Sequence, residues 1–316
     1  MNADRSWIVP DDAQGIRLDA FVRRCLPHLS VREAQRAIEE GAFCLAGRRG
    51  RKGDRLSGGD ELLFRGDPHW LATAPPPEPD LGILVRYEDD SVIVVDKPAG
   101  IATHGFSGRE TRSLANFLAA MRPDLSGVGR SPWEPGLINR LDRGTSGLVL
   151  AAKDQAAFED LRAQSQAGAI KKTYWALVWG ITAESGTVAV PLAHDSKDRR
   201  KMRPAAQPDE SRRTRVWPAA TRFRRRLSAG GFSLLEIEIV RGVTHQIRAH
   251  LQSAGHPIAG DPLYGAGRRE PFGLGRQFLH ARSMEFRHPA DGRKVCVDSP
   301  LPGDLIRVMA ELGMPV

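Results

Sequence analysis

The segment INRLDRGTSGL, residues 138–148, places a single carboxylate among arginines and ahead of a glycine-rich turn. Asp142 lies between Arg140 and Arg143, and two glycines follow within five residues. Such a turn favours a loop that presents a side chain to a ligand over a regular helix. A lone aspartate beside arginines is more often a structural ion pair, so this segment alone leaves both a catalytic and a structural interpretation open.

Two other polar clusters can supply partners for that carboxylate. Tyr174 lies in KKTYWALVWG, whose alternating pattern predicts a strand, and a short predicted helix in THQIRAHLQSAGHP carries His245, Gln246 and Arg248. Because these clusters belong to separate elements, they can converge with Asp142 in the folded chain. An aspartate, a tyrosine and basic side chains together indicate acid–base or nucleophilic chemistry without a metal.

Most common catalytic motifs are missing from the sequence. Leu148 stands where a GxSxG nucleophile elbow requires glycine, and neither a Walker A loop nor an HExxH pair is present. The nine histidines do not fall at metal-ligand spacing, and the three cysteines form no CxxC pair. We therefore expect no metal and no cofactor, and a reducing compartment.

The chain is strongly basic and long enough for a large domain with a small one. Its 316 residues carry 46 Lys and Arg against 38 Asp and Glu, a formal net charge of +8. Such charge favours a polyanionic partner, and its clustering favours nucleic acid. The N-terminus lacks an apolar signal core and no long apolar run follows, so we expect a cytoplasmic monomer without a membrane span.

The first part of the chain is predicted to form a small basic α/β domain over residues 1–65, with its core at 15–62. Ser30 and Glu33 form a capping box before a predicted helix, and short apolar runs broken by glycine turns follow. The basic side chains could form an ordinary solvated face, but one sign dominates a short loop beside a basic helix, which favours RNA binding. The candidate RNA contacts are Arg32, Arg36, Arg48, Arg51 and Lys52.

A proline-rich segment, residues 66–82, reads as a semi-rigid linker to a larger α+β domain over residues 83–316. Within that domain, the stretch from Asp195 to Arg226 is polar and rich in arginine. We predict a mobile insertion or a loop-rich excursion there, and a second candidate region for RNA contact.

The motifs in this order resemble those of the RluA-type RNA pseudouridine synthases. INRLDRGTSGL resembles the HRLD-x-x-TSGL signature, and ILVRYEDDSVIVVDKPAGIATH, KKTYWALVWG and QFLHARSMEFRHP resemble core strands of the family. GVTHQIRAHLQSAGHPIAGDPLYG is similar to the GRTHQIR-x-H segment with HPI-x-GD-x-LYG behind it. The N-terminal RLDAFVRRCLPHLSVREAQRAIEEGAFCLAG resembles the S-four-type RNA-binding module, so the resemblance covers nearly the whole chain.

The resemblance implies a pseudouridine synthase fold with a mostly antiparallel mixed central sheet, besides the small RNA-binding domain. It implies isomerisation of specific uridines in structured RNA, by base flipping and an essential aspartate, with no cofactor. Large-subunit (23S) ribosomal RNA is the favoured substrate, because the N-terminal module accompanies that subgroup. The alternatives are a tRNA pseudouridine synthase and a non-catalytic RNA-binding factor of ribosome assembly.

The resemblance also implies roles for individual side chains. Asp142 starts the reaction at ribose carbon 1′, and Arg248 keeps it ionised against desolvation. Tyr174 stacks on the uracil and is the expected base for the carbon 5 proton, although a plain core aromatic is the alternative. Arg140 occupies the space that a flipped nucleotide leaves. Residues expected to position phosphate or the loop are Lys172, His245 and Gln246.

Three positions depart from the family pattern. Asn139 stands where histidine is usual, Asp96 where asparagine is usual, and Val243 where arginine is usual. None of them removes Asp142, Tyr174 or Arg248, so we expect them to affect substrate choice more than activity. We predict that Asn139 hydrogen-bonds nearby backbone and holds the loop, since its amide both donates and accepts.

Overall fold

The computed structural model describes residues 5–105, 107–205, 215–265, 267–268 and 272–315. Its N-terminal part is a four-stranded antiparallel sheet, in the order β1-β4-β2-β3, with two helices. The elements are β1 (Arg5–Ile8), α1 (Leu18–Cys25), α2 (Val31–Glu39), β2 (Phe43–Leu45), β3 (Arg48–Arg49) and β4 (Glu61–Phe64).

Local sequence explains how this small unit folds. The predicted capping box is confirmed, because Ser30 accepts from the Glu33 amide while the Glu33 carboxylate accepts from the Ser30 amide. Phe43 and Phe64 meet edge to face in the core, with ring centroids 5.4 Å apart. Trp70, from a 3-10 turn inside the predicted linker, is buried in the same core. The domain boundaries at 65 and 82 remain a prediction, but the linker's first residues pack on the small unit.

The rest of the described chain is built on one large sheet of nine strands. Its strands are β5 (Leu84–Glu88), β6 (Val92–Lys97), β7 (Ser146–Ala152), β8 (Lys171–Trp179), β9 (Ser185–Val188), β13 (Thr221–Ala229), β14 (Phe232–Ile239), β15 (Leu279–Arg287) and β16 (Lys294–Asp298). The order is β5-β6-β7-β15-β8-β14-β13-β9, with β16 beside β15. Among these described strands, β7 and β15 alone pair in parallel, which confirms the predicted mostly antiparallel mixed sheet and the α+β class.

In the described part of the chain, four α-helices accompany this sheet: α3 (Leu114–Met121), α4 (Gln155–Ala167), α5 (Gln246–Ser253) and α6 (Gly303–Glu311). On β8, Tyr174, Ala176 and Val178 point to one face and are buried in the main core. Ile247 and Leu251 of α5 belong to the same core, so the central strand and the helix bearing Arg248 share one hydrophobic cluster. None of the described helices has the length and apolar content needed to cross a membrane.

The arginine-rich stretch from Asp195 to Arg226 is more regular than predicted. It contributes to a three-stranded sheet made of β10 (Leu192–His194), β11 (Met202–Pro204) and β12 (Val216–Trp217), while residues 206–214 lie outside the described chain. The prediction of a loop-rich excursion is wrong for residues 221–226, which begin β13. There Arg222, Arg224 and Arg226 are exposed and alternate with half-buried residues, a period-2 pattern that the density of arginine obscured.

Candidate active site

One cleft of about 1280 Å³ opens on the large sheet and collects the predicted catalytic groups. Side chains on its wall include Asp142, Tyr174, Arg248, Arg140, Lys172, His245 and Gln246. The structure therefore brings together all seven candidates from the larger domain. The basic candidates of the small unit, Arg32, Arg36, Arg48, Arg51 and Lys52, are not on this wall.

The loop carrying Asp142 is fastened on both sides of that residue. The Thr103 hydroxyl donates to the Leu141 carbonyl at 2.8 Å and accepts from the Leu141 amide at 3.0 Å. On the other side, the Gly100 amide donates to the Arg143 carbonyl at 2.8 Å. The loop from β6 thus fixes the backbone around the carboxylate, which keeps a quarter of its side chain exposed to the cleft.

A buried lysine braces the same two loops. Lys97 is fully buried, and its Nζ donates to the carbonyls of Pro98 at 2.9 Å, Ile101 at 3.0 Å and Arg143 at 3.4 Å. Burial lowers the pKa of Lys97 to about 7, and the nearby charge of Asp142 opposes that shift. The ammonium therefore acts as a backbone clamp beneath the loop that carries the catalytic candidate.

Arg248 links Asp142 to a second, deeper aspartate. Its Nη1 donates to Asp142 Oδ2 at 2.7 Å, while Nε and Nη2 donate to Asp261 at 2.7 and 2.9 Å. The Asp261 side chain is fully buried and accepts further from the amides of Leu263 and Tyr264, both at 2.9 Å. Burial disfavours the charge of Arg248, but the two aspartates raise its pKa overall, so the guanidinium stays charged.

The start of α5 places two more candidates. His245 caps the helix in the left-handed region at φ 54°, with Nδ1 3.1 Å from the Tyr264 hydroxyl and Nε2 3.9 Å from Asp142 Oδ2. Burial lowers the pKa of His245, against the charge of Asp142, which favours a neutral imidazole. Gln246 is buried, donates to the Ala220 carbonyl at 2.9 Å and accepts from the Val243 amide at 3.0 Å, so it braces the loop.

Tyr264 forms the back of the Arg248 site. The guanidinium carbon lies 5.0 Å from the centroid of its ring, and its hydroxyl accepts from the Met202 amide of β11 at 2.7 Å. Through this contact the three-stranded sheet is tied to the arginine that holds Asp142, and Arg200 from the same sheet's connecting loop reaches the cleft wall. Whether that segment contacts RNA remains a prediction.

Sequence reasoning missed the groups that hold the catalytic candidates in place. Asp261 and Tyr264 both lie in HPIAGDPLYG, a motif noted for its resemblance but without assigned roles. Thr103 and Lys97 lie in ILVRYEDDSVIVVDKPAGIATH, which was also noted for its resemblance. The sequence assigns them no role, because each binds backbone groups that any residue carries.

Tyr174 forms part of the cleft wall from the central strand. It is 5% exposed, and burial together with the negative charge of Asp142 raises the pKa of its hydroxyl. The phenol is therefore protonated at neutral pH. The protonated form suits a ring that stacks on an uncharged ligand. The other predicted role, abstraction of a proton, would need the phenolate form.

Two neighbouring residues on the cleft wall, Arg140 and Asn139, differ in how tightly their side chains are held. Arg140 is exposed, and within the described chain its side chain makes no hydrogen bond or ion pair. Asn139 beside it accepts from the Leu150 amide at 2.9 Å and donates to the Leu148 carbonyl at 3.4 Å. The predicted bonding of Asn139 to nearby backbone is thus confirmed, whereas its neighbour is free to reach a ligand.

The other two departures have structural surroundings. Asp96 accepts from Arg86 Nε at 3.0 Å and from the Ser299 hydroxyl at 2.6 Å, outside the cleft wall. Val243 lies on the wall and packs with Tyr264 and its neighbours. Neither residue interrupts the contacts between Asp142 and Arg248.

The basic residues of the small unit are exposed, and several are paired with acids. Arg36 meets Glu40 at 2.9 Å, Arg48 meets Asp54 at 2.7 Å, and Lys52 meets Glu39 at 2.8 Å. Arg32 and Arg51 make no side-chain ion pair within the described chain. Exposed pairs of this kind are weak, so they do not prevent these side chains from meeting a phosphate.

Comparison with known proteins finds related sequences over nearly the whole chain. The model of the RNA pseudouridylate synthase family matches residues 91–253, and the S4 domain model matches residues 16–62. The chain is 38% identical to a Chloroflexus aurantiacus protein named "Uncharacterized RNA pseudouridine synthase", over 98% of this chain and 94% of that one. It is 34% identical to a Xanthomonas campestris protein named "Ribosomal large subunit pseudouridine synthase D", over 98% and 92%.

Solved structures agree on the fold. Human RNA Pseudouridylate Synthase Domain Containing 1 aligns with a TM-score of 0.56 at 25% identity, covering 72% of this chain and 86% of that one. Human RNA Pseudouridylate Synthase Domain Containing 4 aligns with a TM-score of 0.58 at 22% identity, covering 73% and 94%.

Proposed function

We propose, from the fact that this chain belongs to the RNA pseudouridylate synthase family, that it isomerises specific uridines of 23S ribosomal RNA to pseudouridine. Support for the substrate comes from relatives at 34% and 35% identity over at least 97% of this chain, each named "Ribosomal large subunit pseudouridine synthase D". The enzyme acts as a monomer in the cytoplasm, where ribosomal RNA is available.

The observation that carries this proposal is the link from Asp142 through Arg248 to Asp261 in the open cleft. The reaction breaks the bond between ribose carbon 1′ and uracil nitrogen 1, rotates the base and joins it through carbon 5. Carbon 5 then loses its proton to water, and nitrogen 1 gains one. The reaction therefore needs an ionised carboxylate at carbon 1′, within a site closed enough to retain the free base. Arg248 donates a hydrogen bond to Asp142 Oδ2 at 2.7 Å, and Asp261 holds the arginine.

We assign the remaining steps to side chains on the same wall. The target nucleotide leaves the RNA stack, at a cost of a few kcal/mol, because carbon 1′ is inaccessible in stacked RNA. Arg140, which is unpaired at the rim, fills the space left behind. Tyr174 packs against the uracil with its protonated phenol. Gln246 and His245 hold the loop and the start of α5.

The arrangement favours an enzyme over an RNA-binding assembly factor. A factor that only binds RNA has no use for a carboxylate turned toward a cleft and held by a buried ion pair, since such pairs contribute little net stability. Residues 1–65 serve as the RNA-anchoring domain and residues 83–316 as the catalytic domain, and the basic side chains of the anchor supply affinity for phosphate.

The test is pseudouridine mapping on unmodified 23S ribosomal RNA after incubation with purified protein, with unmodified tRNA as the second substrate. We expect new pseudouridines at a small number of positions in the ribosomal RNA, and none with Asp142→Asn. Modification of tRNA alone would reject the ribosomal substrate, and no modification of either RNA would reject the activity on both.

A further inference from the structure

The cleft wall holds a buried lysine that has no acidic partner among the described residues. Lys172 of β8 is 7% exposed and lies on the cleft wall. Its Nζ makes no hydrogen bond and no ion pair within the described residues. Burial alone lowers its pKa to about 8, so a large share of the molecules still carries the charge at neutral pH.

A second cation on the same wall is also incompletely satisfied. Arg162 of α4 is half-buried, and its Nε is buried without a hydrogen-bond partner in the described chain. No carboxylate of the described residues lies within ion-pair distance of it. Ser165, almost one turn further along α4, and Asn139 join these two cations on the wall.

The other buried cations at this cleft are compensated. Arg248 has two aspartates, Arg276 on the same wall has Asp304, and Lys97 beneath the Asp142 loop has three backbone carbonyls. Burial of a charge without a partner is costly, and native proteins rarely retain it unless a ligand supplies the partner. Lys172 and Arg162 are therefore matched to an anion that the folded chain does not provide.

We propose that Lys172 and Arg162 form a binding site for a backbone phosphate of the RNA strand that carries the target uridine. This rests on the proposed function, because it identifies the anion as part of that substrate. Arginine and lysine are the usual donors to phosphate oxygens, and such contacts fix the register of the bound strand without reading its sequence.

Binding across a range of salt concentrations tests the site. We expect Lys172→Met and Arg162→Gln each to flatten the log–log slope of affinity for a 23S ribosomal RNA fragment by about 0.7, the loss of one contact to a single strand. Lys172→Arg should keep the slope. The single-turnover rate at saturating RNA is measured on the same three variants.

The matched control is Lys171→Met, which removes an exposed neighbouring charge paired with Glu285 and absent from the cleft wall. Its slope should match that of the unchanged protein. A Lys172→Met variant with an unchanged slope and a rate reduced a hundredfold would assign the lysine to the uracil and overturn the proposal. An unchanged slope with an unchanged rate would also overturn it.

A spectroscopic measurement separates this site from the proposed function. After reductive methylation with ¹³C-formaldehyde, the Lys172 signal, identified by its loss in Lys172→Met, should titrate near pH 8 and move to higher pH when the RNA fragment is added. A shift without pseudouridine formation would reject the activity alone. Pseudouridine formation without a shift would reject the phosphate site alone.

Discussion

Arg248 gives two of its hydrogen bonds to Asp261, at 2.7 and 2.9 Å, and the remaining one to Asp142, at 2.7 Å. The buried aspartate therefore fixes the plane of the guanidinium before any substrate arrives. The exposed aspartate keeps one oxygen for chemistry, because its single bond to Arg248 uses only Oδ2.

This relationship predicts that Asp261→Asn weakens catalysis although it leaves Asp142 in place. An amide cannot accept both donors of the guanidinium, and Arg248 loses the buried charge that balances it. We expect a single-turnover rate 10- to 100-fold lower. Effects of this size follow the loss of the hydrogen-bond partner that orients a metal-ligating side chain. The free energy of unfolding should fall by about 3–5 kcal/mol.

The control is Asp54→Asn, which breaks an exposed pair with Arg48 in the small unit. It should change the free energy of unfolding by less than about 1 kcal/mol and leave the single-turnover rate unchanged. Both variants are compared below their melting temperatures. Full activity in Asp261→Asn would show that Arg248 does not depend on its ion pair with Asp261.

Asp142→Asn should abolish pseudouridine formation and leave RNA affinity within a few fold. The asparagine keeps the size of the side chain, while the loop stays fastened by Thr103 and the Arg248–Asp261 pair stays intact. Filter binding and pseudouridine mapping on the same preparation separate binding from turnover. Measurable turnover by the purified variant would remove Asp142 from its assigned role.

The basic residues of the small unit should dominate the salt dependence of binding. Replacing Arg32, Arg48, Arg51 and Lys52 with glutamine in the full chain removes about four phosphate contacts. The log–log salt slope should flatten by about 3 if those contacts are made to a single strand. The full chain is preferable to truncation, because Trp70 lies in the small unit's core.

The control for that experiment replaces three exposed cations, Arg293, Lys294 and Arg307, with glutamine. These residues lie outside the cleft wall and outside both regions predicted to contact RNA, so their removal should change the slope by less than one contact. Equal slopes for the fourfold small-unit variant and the threefold control variant would mean that the small unit adds only non-specific positive charge and is not an RNA anchor.

Asn139→His should keep the single-turnover rate within about tenfold, and Asn139→Ala should lose stability before it loses chemistry. Asn139 holds β7 through the Leu150 amide and the Leu148 carbonyl. Losing one such bond costs about 1 kcal/mol, and up to about 3 kcal/mol where a buried partner is left alone. Rates and melting temperatures are measured together. A rate for Asn139→Ala as low as that of Asp142→Asn, at an unchanged melting temperature, would make Asn139 catalytic.

The sequence was sufficient to predict the convergence of Asp142, Tyr174 and Arg248, because each lies in a distinct motif on a separate element. It was not sufficient to predict what holds them. Thr103 fastens Leu141 across 38 positions, and such a pairing depends on how β6 and the Asp142 loop approach each other in space. The same holds for Arg162, whose place on the cleft wall follows from the packing of α4.

The strand β13 shows a different limit. Its alternation of exposed arginines with Phe223 and Leu227 is a normal strand pattern. Arginine also dominates the residues before it, so composition suggested a polar excursion where pairing with β14 and β9 forms a strand. Neighbouring strands decided the outcome, and a single segment does not contain that information.

Lys172→Met should stabilise the protein at neutral pH, and the gain should shrink as the pH rises. The pKa of Lys172 falls from 10.5 to about 8 on folding, so between those values the unfolded chain binds the proton that the folded chain has released. Stability of the unchanged protein therefore rises with pH across this window. This decrease in pKa corresponds to about 3 kcal/mol. It destabilises the folded state below pH 8, and the destabilisation disappears near pH 10.5.

Denaturant unfolding of both proteins at pH 7, 8, 9 and 10 measures this difference. The advantage of Lys172→Met should decline steadily over the upper three values, while Lys171→Met, whose lysine is exposed, should show no such trend. Lys97 contributes a similar rise in both proteins and cancels from the comparison. A difference between Lys172→Met and the unchanged protein that is constant with pH would mean that Lys172 is solvated or paired in solution, and the phosphate site would lose its physical basis.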